Sequence, residues 1–179
     1  MSRLGRNTLQ LTLASVGQKA LAFLYFLLLA RTVGAEQTGA YFLALSITTM
    51  FSVLTDVGLQ PVLIREVAKG REDWKSIFSA TLGLKLLFTI ITSGLVVGFV
   101  SVMGYGWDVR SLVYLALAVM ALDAVSLTMY GLLRGVQILR YESLGMFTGQ
   151  FLTLIVGGAV LFTNQSLALL IVALLVGSA

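Results

Sequence analysis

Long apolar runs separated by short polar breaks dominate the chain. The runs cover about 8–30, 38–64, 77–103, 111–133, 143–162 and 167–179. Each complete run has roughly the 20 residues that a helix needs to cross ~30 Å of hydrocarbon. The pattern predicts an all-α, polytopic membrane helix bundle of six spans. The sixth is still apolar at Ala179, so the chain is expected to be the opening part of a longer protein.

The breaks differ in character. The first run closes at Ala30-Arg31, a short turn holding Gly34 follows, and a new run opens between Thr38 and Tyr41. Lys19 inside the first run and Arg31 at its end count against a cleavable signal peptide. The second run carries an internal acid, Asp56, and is expected to break near Gly58 and Pro61, because Pro61 has no N–H for the carbonyl four residues back. Residues 65–75 form the most charged piece: Arg65, Glu66, Lys69, Arg71, Glu72, Asp73 and Lys75. A Gly/aromatic turn (104–108), a basic turn with Arg134, Arg140 and Glu142, and an uncharged turn (163–166) separate the later runs.

Composition narrows the class further. The chain is 58% hydrophobic and 11% charged, with a mean hydropathy of +0.97, whereas soluble domains are about 25% charged. Cys and His are both absent, which excludes disulfides, thiol nucleophiles, imidazole acid–base chemistry and the usual zinc ligand sets. No metal site, cofactor or enzymatic centre is expected. The net charge of +4 reads as a topology signal rather than a nucleic-acid footprint. Eight of the 12 Lys and Arg lie in the N-terminal segment, the 65–75 loop and the 134–142 turn. That bias places the N-terminus and those loops in the cytoplasm of a multi-pass protein of the cell membrane.

Four ionisable residues fall inside the runs: Lys19, Asp56, Lys85 and Asp123. Counted along the helix, all lie roughly 12–16 Å from the cytoplasmic edge, two of each sign. Charges at such depth are costly and normally face a bundle interior or a wet cavity. Polar stripes at helical spacing support a cavity: Thr8, Thr12, Ser15 and Lys19; Thr49, Ser52 and Asp56; Asp123, Ser126, Tyr130 and Arg134. Lys19, Asp56, Lys85, Asp123 and Arg134 are therefore the candidate cavity residues, the alternative being ion pairs that only hold the bundle together. Arg65, Lys69 and Arg71 form a candidate cytoplasmic rim for an anionic head group, the alternative being orientation alone. Three small-xxx-small pairs, Gly94/Gly98, Gly131/Gly135 and Gly145/Gly149, are expected to pack helices within the bundle.

The ordered set Ala30-Arg31, Val33-Gly34, Gly39, Tyr41, Asp56, Gly58-Leu59 and Arg65, with Leu132-Leu133-Arg134-Gly135 and Arg140-Tyr141-Glu142 further on, resembles the polysaccharide-transport branch (Wzx-type flippases) of the multidrug/oligosaccharidyl-lipid/polysaccharide exporter superfamily. The resemblance implies the N-terminal six-helix lobe of a two-lobed, MATE-like transporter, its last helix truncated and its C-terminal lobe missing. It also implies movement of a polyprenyl-diphosphate-linked oligosaccharide between leaflets by alternating access, with membrane lipids as surroundings and a proton or sodium as a coupling ion. Cationic Lys19, Lys85 and Arg134 would then meet the diphosphate. The competitors are an ion-coupled exporter of small drugs from the same superfamily, a membrane glycosyltransferase or polymerase, and a non-transporting scaffold of an export complex. No loop here is large enough for a nucleotide site.

Overall fold

The structure, a computed structural model, describes residues 3–70, 73–163 and 166–178, with side chains from residue 11 onward. Among these the secondary structure is entirely helical: α1 (Arg3–Ser52), a 3-10 turn (Val53–Thr55), α2 (Leu59–Ala68), α3 (Trp74–Val102), α4 (Trp107–Gly135), α5 (Leu139–Thr163) and α6 (Leu167–Ser178). The bundle is all-α, as the pattern of runs predicts.

The turn expected between Arg31 and Thr38 is reduced to one residue. Helical geometry runs through 31–33 and resumes at 35, and only Gly34 leaves it, at φ 82° and ψ 175°. The chain nevertheless doubles back there. Phe26 and Phe42 would stand about 24 Å apart on a straight helix, yet their ring centroids are 5.5 Å apart. α1 is therefore two arms, 3–33 and 35–52, folded against each other. The backbone at Gly34 lies in a region that side-chain-bearing residues essentially do not enter.

The second break also differs from expectation. The helix ends at Ser52, and the interruption is the 3-10 turn with Asp56 (φ −133°) and Gly58 (φ 80°) behind it. Pro61 does not break a helix. It sits in the first turn of α2, where backbone N–H groups have no intrahelical partner to lose. Asp56 helps to start α2, because one of its carboxylate oxygens accepts the Gln60 N–H at 3.0 Å. Asp56 thus lies at a junction between helices and not within a continuous span.

The arm 3–33 packs mainly on α5, and α5 packs on α6. The arm 35–52 lies against α4, and α4 also carries α2, α3 and α6. Small residues set the closest approaches. A Cβ on Gly135 would stand 2.7 Å from the Val67 side chain, joining α4 to α2, and one on Gly145 would meet the Tyr130 hydroxyl at 2.5 Å. Gly149 faces the Gly177 backbone. Two of the three small-xxx-small pairs therefore work inside the bundle. Gly94 and Gly98 have nothing within 4 Å of where a Cβ would be and remain on an open face.

The buried apolar cluster occupies one half of the bundle. It gathers Tyr25, Leu29, Tyr41 and Ala44 around the Gly34 turn with Val96, Val100, Leu112 and Val113 from the helix ends beside the 103–106 turn, Leu161 from the end of α5 and Leu170 from the start of α6. The other half, beside the basic loops, is looser. Outward-facing apolar side chains are heavily exposed, among them Ile90 at 70% and Phe162 at 82%. Soluble monomers rarely show contiguous apolar patches of this kind, and lipid covers them here. α1, α3, α4 and α5 are long and apolar enough to cross a membrane, and α1 is doubled at Gly34. The protein is a multi-pass membrane protein.

The Gly34 geometry makes a direct prediction. Gly34→Ala should destabilise the bundle by about 1–3 kcal/mol through backbone strain, although no atom obstructs the new methyl group. Gly39→Ala, on ordinary helix with equally open surroundings, should leave the thermal midpoint in detergent unchanged or slightly raised. Equal midpoints for the two variants would show that Gly34 is not the constraint.

Candidate transport trough

The looser half holds two adjoining cavities. The larger, about 410 Å³, is lined by Gln18 from the first arm of α1, Leu45 and Thr49 from the second, Val119, Asp123, Ser126, Leu127, Tyr130 and Arg134 from α4, Glu142, Gly145 and Gln150 from α5, and Ser178 from α6. The smaller, about 350 Å³, adds Thr48, Ser52, Thr55 and Asp56. Leu45, Thr49, Val119, Asp123 and Leu127 line both, so the two form one trough with Asp123 at their junction. The α4 residues recur every three or four positions and so share one face. Ser126 Oγ donates to the Ser178 carbonyl at 2.9 Å and ties α4 to the last turn of α6.

Two ion pairs flank the trough. Arg134 Nε donates to both oxygens of Glu142, at 2.9 and 3.0 Å, and Nη2 donates at 2.5 Å. The Glu142 side chain is fully buried, whereas that of Arg134 is 39% exposed towards the cavity it lines. Bidentate geometry of this kind is among the strongest that side chains make. It staples the end of α4 to the start of α5 across a turn held by Gln137 at φ 59°. The second pair joins α3 to the α1–α2 junction: Lys85 Nζ lies 3.5 Å from Asp56 Oδ2, an ionic contact rather than a well-formed hydrogen bond. Lys85 is sealed from the surface and lines neither cavity.

Around Lys85, α3 buries Thr81, Thr89 and Thr92 on the same face. Thr81 and Thr89 direct their hydroxyls to the carbonyls of Ile77 and Lys85, four residues back. This satisfies them without a partner from another helix. One carboxylate oxygen of Asp56 therefore caps α2 while the other faces Lys85.

The residues singled out from sequence are thus distributed as follows. Asp123 and Arg134 line the larger cavity, and Asp56 and Asp123 the smaller. Asp56 and Lys85 are brought together, whereas Lys19 is exposed and lines neither cavity; its neighbour Gln18 takes that place. Arg65 is exposed in the last turn of α2, and Lys69 pairs with Glu66 at 2.5 Å on the surface. Arg71 lies outside the described residues. Of the motif residues, Arg31 and Gly39 are exposed, Tyr41 is buried in the apolar half, Gly34 makes the reversal and Gly58 opens α2.

Gln18 and Gln150 do not stand out in the sequence, and the fully buried Glu142 stands out there only within the Arg140-Tyr141-Glu142 stretch and not as a cavity residue. Each left a signal. Uncharged amides are uncommon inside membrane helices and usually face other helices. Arg134 and Glu142 are opposite charges on either side of a short turn. Among the described residues no group of three or more acidic side chains gathers as a metal site would require.

Residues 4–179 match the family described as polysaccharide biosynthesis protein. The chain belongs to this family. It is also similar to a protein of Haloferax volcanii described as a probable low-salt glycan biosynthesis flippase, Agl15, with 30% identity over 126 residues. That match covers 69% of this chain and 26% of the relative, so the chain spans about a quarter of the relative's length. No solved structure gives a significant match. The resemblance first carried by Arg31, Gly34, Gly39, Tyr41 and Gly58 is therefore a family relationship to polysaccharide biosynthesis proteins.

The unequal burial of the two acids separates the ion pairs experimentally. Arg134→Met leaves the fully buried Glu142 without its ion-pair partner and should cost about 3–5 kcal/mol. Lys85→Met leaves Asp56 with a quarter of its side chain exposed and its bond to Gln60 intact, so it should cost clearly less. Adding Glu142→Leu to Arg134→Met should recover much of the loss. Thermal midpoints of the four proteins in one detergent test this order, and a larger loss at Lys85 would reverse it.

Proposed function

We propose that the full-length protein moves a polyprenyl-diphosphate-linked oligosaccharide from the cytoplasmic to the outer leaflet of the cell membrane, for cell-surface polysaccharide synthesis. The observation that carries this reading is a trough, lined by apolar side chains together with hydroxyl, amide and charged groups, built into one half of a bundle whose outer surface is lipid-facing, in a member of the polysaccharide biosynthesis family. A diphosphate and its sugars cannot cross ~30 Å of hydrocarbon unaided. A trough bearing hydroxyl, amide and carboxylate groups substitutes for the water of the sugars while the polyprenyl chain stays in lipid. No bond is made or broken, so the protein is a transporter and not an enzyme. The relative named as a glycan biosynthesis flippase supports the same reading.

With the basic loops in the cytoplasm, the trough opens inward and the apolar half closes the outer end. Alternating access then requires a second lobe to rock against this one. Arg65 and Lys69, exposed at the end of α2, form the cytoplasmic rim where an anionic head group arrives. Asp123 is the position in the trough for a coupling proton or sodium. The second reading, an ion-coupled exporter of small cationic molecules, draws on the acids of the trough, Asp56, Asp123 and Glu142, against Arg134 alone.

A steric plug tests the choice. Thr49 lines both cavities and is exposed to them, so Thr49→Trp should fill the trough without disturbing the apolar half. In a host lacking its own flippase and supplied with the matching sugar pathway, the native full-length protein should restore surface polysaccharide. Thr49→Trp at equal membrane level should lower it by more than about tenfold, the order of loss expected when a site is blocked rather than weakened. No restoration by the native protein would favour the exporter reading. Restoration by both would favour a scaffold without a substrate path here.

A further inference from the structure

The lining of the larger cavity carries information about the sugar. Gln18 and Gln150 supply amides that both donate and accept, Tyr130 and Ser126 supply hydroxyls, and Asp123 supplies a carboxylate. This mixture suits sugar hydroxyls, which also donate and accept. The volume, about 410 Å³, lies within the roughly 300–1,000 Å³ of small-ligand sites.

The charge arrangement is the deciding feature. Arg134 is the cation among the described lining residues, and its Nε and one Nη2 hydrogen are committed to Glu142. Glu142 is itself fully buried, so it has no solvent to neutralise it and holds Arg134 in place. Lys85 stands behind Asp56 and Lys19 is exposed, and neither lines a cavity. Asp123 occupies the junction of the trough, and no salt bridge to it is formed among the described residues. A uronic acid or other anionic sugar placed there would face the carboxylate of Asp123 and, in Arg134, a guanidinium whose charge Glu142 already offsets. An uncharged sugar would find hydrogen-bond partners of both kinds.

We infer that this trough is a saccharide subsite selective for uncharged sugar residues over anionic ones, with Glu142 as the group that sets the selectivity by cancelling Arg134. The inference rests on the flippase reading and names the substrate class within it. Glu142 is here a positioning residue, acting through Arg134 and not by touching the sugar.

The test uses full-length protein in liposomes with two synthetic substrates on the same polyprenyl diphosphate. One carries a disaccharide of two neutral hexoses; in the other a hexuronate replaces the terminal hexose. Flipping of each is read as protection from a reagent confined to one side. The neutral substrate should move at least about tenfold faster, since like-charge contact strongly suppresses a wrong ligand.

Glu142→Gln leaves Arg134 uncancelled and should raise the rate for the hexuronate substrate, narrowing the ratio. Gln150→Lys places a new cation in the trough without touching the buried pair, and should do the same if Glu142→Gln fails to fold. Equal rates for the two substrates in the native protein would overturn the selectivity and leave the flippase reading standing. An unchanged ratio in folded Gln150→Lys would also overturn it. Movement of neither substrate would overturn the flippase reading, and the selectivity with it.

Discussion

A bundle whose surface faces lipid has to turn its polar groups inward, and each must find a partner or water there. That constraint organises this protein. Unsatisfied groups cost several kcal/mol in hydrocarbon, by the order of magnitude of polar transfer. The structure meets it in two ways. Along α3, buried threonines bond back to their own helix. Elsewhere the polar side chains of α1, α4, α5 and α6 converge on one trough. Breaks in the helices serve the same end. The exposed N–H groups at the start of α2 are partly met by Asp56, whose other oxygen faces Lys85.

The result is a bundle of unequal halves. Around the Gly34 reversal, Leu29, Val113 and Leu161 pack with the buried rings of Tyr25 and Tyr41. In the half beside the basic loops, the helices around the trough are held at separate points, among them Gly135 against Val67, Gly145 against Tyr130, Gly149 against Gly177 and the Arg134–Glu142 staple. Tight packing at one end and pinned looseness at the other allow a cavity to exist without collapse of the helices around it. The same looseness is what a transporter needs if one end is to open while the other is closed. The pins are not interchangeable. Glu142 depends wholly on Arg134, whereas Asp56 retains water and a backbone N–H.

Much of this was legible in the sequence, because hydrophobic period and length dominate membrane helices. The runs, the intramembrane charges and the family residues could be read from residue types alone. What escaped depends on geometry. A single glycine turning a helix back on itself looks the same in sequence as a longer loop, so the turn around Gly34 was read too long. Pro61 was read as a breaker, because a missing N–H harms a helix interior and not a first turn. Equal depth suggested that Lys19, Asp56, Lys85 and Asp123 meet. Depth does not fix the angle around a helix, and only Asp56 and Lys85 are paired. The neutral amides Gln18 and Gln150 were passed over in favour of charges, although they line the cavity.

The central claim is that this trough is wet, opens on the side of the basic loops and holds the transported glycan. The chain contains no cysteine, so a single one can be placed at will. Thr49→Cys in the trough and Ile90→Cys on the lipid-facing surface would be exposed, in the full-length protein, to a membrane-impermeant thiol reagent from each side in turn. The account predicts rapid labelling of Thr49→Cys from the side of the basic loops, slowed by lipid-linked oligosaccharide, with Ile90→Cys inert. Labelling of neither position, or labelling of Thr49→Cys that the glycan lipid does not slow, would contradict it.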